Sequence, residues 1–181
     1  AQLAKNKHLE GKSLARIAEE TGKDVFDLFM GLSLEEDMKM VFSTLTVNGD
    51  PDAVFKMMTH PKSLSSLADG GAPLSAICQT SYPSYILSHW VRERKAMTIE
   101  DAIEVLVTRP AEALGLQNRA ALQEGNYADI VVFDPEAIRL HPIESVNDLP
   151  AGGQRMIQRG EGMLWTIVNG EVLMEGHDHS G

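Results

Sequence analysis

The spacing of apolar and polar positions divides the chain into a helical first part and a β-rich last part. Ser13 is placed to cap a helix with Leu14, Ile17 and Ala18 on one face, and Gly22 stands where that helix ends. Asp24 caps a second helix with Val25, Phe26, Leu28 and Phe29 as its apolar side, and Ser33 to Asp37 reads as the cap and first turn of a third. Met38 to Leu45 is apolar and partly β-branched, the pattern of a buried strand. After the Asn48-Gly49 turn, Asp50 and Pro51 start a helix whose stripe is Val54, Phe55, Met57 and Met58. His60 before Pro61 ends it, because a residue preceding proline is pushed out of the α region, and the His60 side chain is expected near the last carbonyls. A short strand is expected from Ser63 to Ala68, running into Asp69-Gly70-Gly71-Ala72-Pro73. Residues 82–95 read as a helix with Tyr85, Ile86, His89 and Trp90 near one face. Thr98 opens the next, with Asp101 as its capping-box partner and Ile99, Ala102, Ile103, Leu106 and Val107 as its stripe.

After about residue 120 the helical period stops. Ala128 to Pro135 is a strand closed by a turn, and Met163 to Val168 and Glu171 to Met174 flank Asn169-Gly170, a strong hairpin signal. The stretch 135–162, rich in Pro, Gly and Asn, reads as an extended loop. The expected organisation is therefore an α/β portion over 1–120 and a small β portion over 121–181.

Composition narrows the class. The 181 residues carry 26 acidic and 16 basic side chains, a formal charge of −10, and 43% are hydrophobic. That apolar content is too high for a disordered chain. An acidic balance with no Lys/Arg cluster argues against nucleic acid as a partner. No apolar run reaches the roughly 18–20 residues that span a membrane. The single cysteine, Cys78, cannot form an internal disulfide and reads as a buried small hydrophobe. A cytoplasmic location is the expectation. A chain of this length cannot close a (β/α)₈ barrel, which takes about 250 residues.

Strand–helix alternation points to βα units, whose ligands bind beyond the strand ends. Asp69 sits there, followed by two glycines that leave room beside its carboxylate. Such an acid can shuttle a proton or contact a metal. The same Asp-Gly pair is the signature of a turn, and spacing alone favours that reading over catalysis. His177 and His179 are two residues apart, the spacing of a metal pair on a strand, but at a chain end they read as a solvated tail. His89 reads as a packing histidine, and His8 and His141 carry no local signal. No phosphate loop, dinucleotide fingerprint or nucleophile elbow is present.

Specific residues narrow this further. Gly125-Asn126-Tyr127-Ala128-Asp129-Ile130-Val131-Val132-Phe133-Asp134-Pro135, then Thr166-Ile167-Val168-Asn169-Gly170-Glu171-Val172, resembles the C-terminal β segment of the amidohydrolase superfamily. With Ala68-Asp69-Gly70-Gly71-Ala72, the run from Ser81 to Arg92, Thr108-Arg109-Pro110-Ala111 and Leu149 to Arg155, the whole chain resembles the last third of an N-acyl-D-amino-acid deacylase (D-aminoacylase-like).

The resemblance implies an α/β fold: the C-terminal portion of a (β/α)₈ TIM-type barrel, incomplete in this chain, plus a small β domain. Met40 to Thr46 would be the seventh barrel strand, and the eighth would end at Asp69. It implies a metal-dependent hydrolase of the linear amide of N-acyl-D-amino acids, with Asp69 as the catalytic proton shuttle and a second-metal contact. Gly70 and Gly71 would lie against the substrate. Zinc belongs to the intact protein, and this chain, lacking the family's early His-x-His pair and its mid-barrel Cys and His ligands, is expected to hold none and to be inactive alone. Pro73 stands where this branch often has histidine. The alternatives are a non-catalytic module that self-associates through open strand edges, giving a homo-oligomer, and a cyclic-amide hydrolase of the dihydropyrimidinase type, against which the Ser81–Trp90 run argues.

Overall fold

The computed structural model describes residues 1, 3–44, 48–66 and 80–180. It forms two compact units, Ala1–Pro51 and Asp52–Gly181.

The first unit is built by local capping. A 3₁₀ turn, Ala4–Leu9, precedes α1 (Leu14–Thr21), where the Ser13 hydroxyl accepts from Arg16 N at 3.2 Å and Gly22 takes the left-handed cap at φ 67°. In α2 (Val25–Glu35) the Asp24 carboxylate accepts from Phe26 N at 2.8 Å and Asp27 N at 3.2 Å. No third helix starts at Ser33. That residue is buried inside α2, its hydroxyl donating to Phe29 O at 2.7 Å one turn back, so it serves the helix interior instead of capping. Glu36 is 2% exposed, and its carboxylate accepts from Leu3 N at 3.0 Å and Asn6 Nδ2 at 2.8 Å, which ties the 3₁₀ turn to the end of α2.

Ile17, Ala18, Leu28 and Leu32 make the core of this unit, with Leu9, Leu14, Met40 and Phe42 packed against them. The strand expected from Met38 to Leu45 does not form over its described part, Met38 to Thr44. Alternation survives there: Met40 and Phe42 turn inward, Phe42 packing on Phe29 at 4.7 Å, while Val41 is exposed. No neighbouring strand among the described residues offers a ladder, and one extended segment cannot satisfy its own backbone as a helix does. Leu45 and Thr46 lie outside the described residues. The strand expected from Ser63 to Ala68 is likewise absent over Ser63 to Ser66.

The second unit packs helices on antiparallel strands. Its helices are α3 (Pro51–Thr59), α4 (Tyr82–Tyr85) passing into a π-helical stretch (Ile86–Glu93), and α5 (Ile99–Ile103), which runs through a second π stretch (Glu104–Thr108) into α6 (Arg109–Ala113). The capping box is present as predicted: Asp101 N donates to Thr98 Oγ1 at 3.1 Å and Thr98 N to Asp101 Oδ2 at 3.0 Å. Ile86, Leu87, Trp90, Met97, Ala102, Val105 and Ile138 form the core, and Val54, Phe55 and Met58 of α3 pack on it. Met57, expected in the same stripe, is 52% exposed, because it falls on the far side of that helix.

Eight strands follow: β1 (Ile130–Phe133), β2 (Arg139–Leu140), β3 (Glu144–Leu149), β4 (Gly153–Ile157), β5 (Gly160–Glu161), β6 (Met163–Val168), β7 (Glu171–Glu175) and β8 (Asp178–His179). They pair antiparallel in the orders β1-β6-β7-β8, β2-β5 and β3-β4. The β6–β7 hairpin turns at Asn169 (φ 53°) and Gly170 (φ 86°), the two positive angles that such a turn demands. The stretch read as an extended loop, 135–162, instead contains β2 to β5. Its Pro and Gly residues occupy the turns, with Ala151 at φ 60° and Gly152 at φ 72° reversing the chain between β3 and β4. The tail is exposed as expected but tied down: Asp178 and His179 pair with Glu175 and Met174. No helix among the described residues is long and apolar enough to cross a membrane.

Candidate active site

The residues expected to carry the chemistry, Asp69 with Gly70 and Gly71, lie outside the described residues, as do Pro73 and Cys78. The structure describes the chain on either side of them, and both sides are held by side chains distant in sequence.

On the approach, α3 ends at Thr59. Arg109 Nη1 donates to Thr59 O at 3.1 Å and His60 O at 3.3 Å, so the orphan carbonyls of that helix end are met by a guanidinium from α6. Arg109 Nε is held in turn by Glu104 Oε1 at 2.8 Å. The expected capping of these carbonyls by the His60 side chain does not occur. Its Nδ1 accepts from Lys62 N at 3.2 Å, leaving the carbonyls to the longer and permanently charged arginine.

On the far side, the Ser81 hydroxyl donates to Gln158 Oε1, and Gln158 Nε2 donates to His141 O at 3.0 Å. His141 N donates to Arg159 O at 2.9 Å, and its Nε2 lies 2.9 Å from Glu161 Oε1. Arg139 pairs with Glu161 as well. Burial works to raise the Glu161 carboxyl, but Arg139 and His141 together outweigh it and hold it below its ordinary range. The start of α4 is thereby fixed to β2 and β5.

A cavity of about 220 Å³ opens beside Arg109, lined by Phe55, Thr59, Met97, Asp101, Glu104 and Val105. Its two carboxylates are already engaged. Asp101 accepts from Thr98, whose backbone N–H and hydroxyl keep its carboxyl below the usual range, and Glu104 holds Arg109. A larger cavity of about 730 Å³ in the first unit is walled by Leu9, Ile17, Phe29, Leu32 and Phe42. His89 is a packing residue as read, stacked on Tyr85 at 4.8 Å with its Nδ1 3.0 Å from Glu93.

Among the described residues no group of three or more His, Cys, Asp or Glu could hold a metal ion. His177 lies in the turn before β8 and His179 within it, so the two are not presented as a pair on one strand. The described part of the chain does not fit a metal centre, and no catalytic step is assigned to it.

Sequence reasoning missed Gln158 and His141 as holders of the α4 start, since nothing local marks them. Arg109 was visible only as part of the Thr108–Ala111 motif, without its partner carbonyls.

The amidohydrolase family profile matches residues 9–174, and the chain belongs to that family. It is similar to an uncharacterized protein of Mycobacterium tuberculosis, 28% identical over 97% of this chain and 30% of that protein. It is also similar to an N-acyl-D-aspartate deacylase of Alcaligenes xylosoxydans xylosoxydans, 27% identical over 87% of this chain and 31% of the deacylase. Among solved structures, a D-aminoacylase studied for its binuclear metal center shares the fold, with a TM-score of 0.52 and 22% identity over 96% of this chain and 34% of that one. The chain thus spans about a third of the length of the relatives it matches.

Proposed function

We propose that this chain is the C-terminal part of a metal-dependent amidohydrolase that cleaves the amide of N-acyl-D-amino acids to a carboxylate and a free D-amino acid. Residues 1–120 would contribute the last strands and helices of a (β/α)₈ barrel, and 121–181 a small β domain. The observation that carries this reading is the Asp69-Gly70-Gly71 run, which follows the Ser63–Ala68 segment within a family match over 9–174. Similarity to a D-aspartate deacylase across most of the chain supports the substrate class.

In this reading Asp69 takes the proton of the attacking water and passes it to the leaving amine, while Gly70 and Gly71 leave space for the substrate. In the intact protein zinc would be held by other residues, with Asp69 as a second contact, and would supply a water acidic enough to attack near neutral pH. The clamps at Arg109 and at Ser81–Gln158 brace the two sides of the segment bearing Asp69. The substrate is a small molecule, and self-association is an expected property of an incomplete barrel.

The test is release of amine from N-acetyl-D-amino acids by the full-length protein, by its Asp69→Asn variant and by this chain with added zinc. Loss of about two or more orders of magnitude in kcat for the variant is expected, and no turnover by the chain alone. Retained turnover in Asp69→Asn would remove the assigned shuttle. Zinc-dependent turnover by the 181-residue chain would overturn the view that its site is incomplete.

A further inference from the structure

The chain contains two Asn-Gly pairs, Asn48-Gly49 and Asn169-Gly170, and the structure treats them differently. We propose that Asn48 is a site of spontaneous deamidation and that the β6–β7 turn protects Asn169 from the same reaction.

The chemistry is intramolecular. The backbone nitrogen of the glycine gives up its proton to water or hydroxide and attacks Cγ of the asparagine. A new N–Cγ bond forms, the Cγ–Nδ2 bond breaks, and ammonia leaves. Water then opens the resulting succinimide at either carbonyl, giving aspartate or, with an extra carbon in the main chain, isoaspartate. Glycine favours the step because no Cβ obstructs its nitrogen and its backbone is the least restricted. The step needs three freedoms: an unengaged glycine N–H, an asparagine side chain able to swing onto it, and open space around both.

Asn169 lacks the first two. Gly170 N donates to Ala128 O at 3.0 Å. Asn169 Oδ1 accepts from Arg119 Nη2 at 2.8 Å, and Asn169 N donates to Asp129 Oδ1 at 2.9 Å. Arg119 is fixed by its own pairing with Asp129 and by lying over the Tyr127 ring at 4.1 Å. The attack therefore requires a turn held at three points to open first.

Among the described residues nothing restrains Asn48 or Gly49 in these three respects. Asn48 and Gly49 are exposed, and among the described residues neither the Asn48 amide nor the Gly49 N–H has a hydrogen-bond partner. A Cβ built on Gly49 would meet nothing within 4 Å. The two asparagines share a positive φ, 59° at Asn48 and 53° at Asn169, but Asn48 lies in no ladder or helix whereas Asn169 is held in the β6–β7 turn. The product would place a further negative charge before Asp50 and Asp52, in the stretch that joins the first unit to the second.

The experiment uses the 181-residue chain, kept native in mildly alkaline buffer at about body temperature and sampled by tryptic mass spectrometry. Peptide 40–56 carries Asn48 and peptide 160–181 carries Asn169. Peptide 40–56 is expected to convert about tenfold faster or more, the factor that follows from holding one turn closed with a few net-stabilising hydrogen bonds. In denaturant the two rates should converge, since the protection is a property of the fold. Asp129→Ala should raise the rate at Asn169 and leave Asn48 unchanged, and Gly49→Ala should suppress conversion at Asn48. Equal native rates, faster conversion at Asn169, or a difference that persists in denaturant would each overturn the proposal.

Discussion

Met38 to Leu45, described as far as Thr44, and Met163 to Val168 have much the same texture: short, apolar, partly β-branched, each expected to be a strand. Only the second becomes one. β6 lies between β1 and β7, and the Asn169-Gly170 turn delivers β7 to it two residues later. The first run has the right alternation, with Met40 and Phe42 packed inward, yet no described strand lies beside it. The difference teaches that side-chain pattern chooses a face, whereas a ladder needs a second backbone within about 5 Å. A hairpin supplies that backbone locally. A parallel strand must obtain it from distant polypeptide.

The comparison can be broken most severely at Gly162, which leads into β6 at φ +86°. A Cβ there would lie 2.5 Å from both N and Cα of Ile138, which are backbone atoms of a fully buried residue and cannot move aside cheaply. Gly162→Ala is expected to cost more than about 4 kcal/mol in a denaturant titration, the range reserved for a named steric conflict. A near-normal midpoint would show that β6 tolerates a looser entry than the structure gives it.

Hydrogen exchange sharpens the contrast next. Amides of 163–168 should exchange orders of magnitude more slowly than those of 40–44, because exchange follows local opening. If the proposed barrel neighbour completes the ladder, co-expression with the N-terminal barrel portion of the proposed intact amidohydrolase should slow 40–44. Unchanged exchange would count against the proposed seventh strand.

The smallest effect is electrostatic. The backbone N–H of Asn169, and after it Arg119, hold the Asp129 carboxyl below its ordinary value of 3.8. A lowered folded pKa contributes stability above the unfolded value and loses it as pH falls through the folded one. Protection factors at the β6–β7 turn, taken against the intrinsic exchange rate at each pH, should therefore be steady from neutral pH down to about 4, with added opening below it. Asp129→Asn should remove that acid-dependent increment, and an unaltered profile in the variant would assign the loosening to another group.

Capping and turn chemistry were legible because they act within four residues. Ser13, Asp24 and the Thr98–Asp101 box each found the partners their spacing implied. The Asn169-Gly170 hairpin was legible for the same reason. Ser33 misled because a hydroxyl can serve a helix interior as readily as its start, and residues 135–162 because Pro and Gly mark turns without excluding the short strands between them. The family signature was readable from the β segment and the Asp69 run, and the match over 9–174 agrees with it.

What lay in the sequence, then, was local: helix starts and ends, one hairpin, the apolar faces, and residues marking an amidohydrolase. Tertiary structure alone decided which apolar run became a strand and which distant groups met. Examples are Arg109 on the carbonyls of Thr59 and His60, Ser81 on Gln158, and Arg119 on Asp129 and Asn169. Such contacts join positions about 10 to 77 residues apart, and nothing in the neighbourhood of either partner encodes the other. They exist only once packing has brought two backbones close enough for one side chain to reach across.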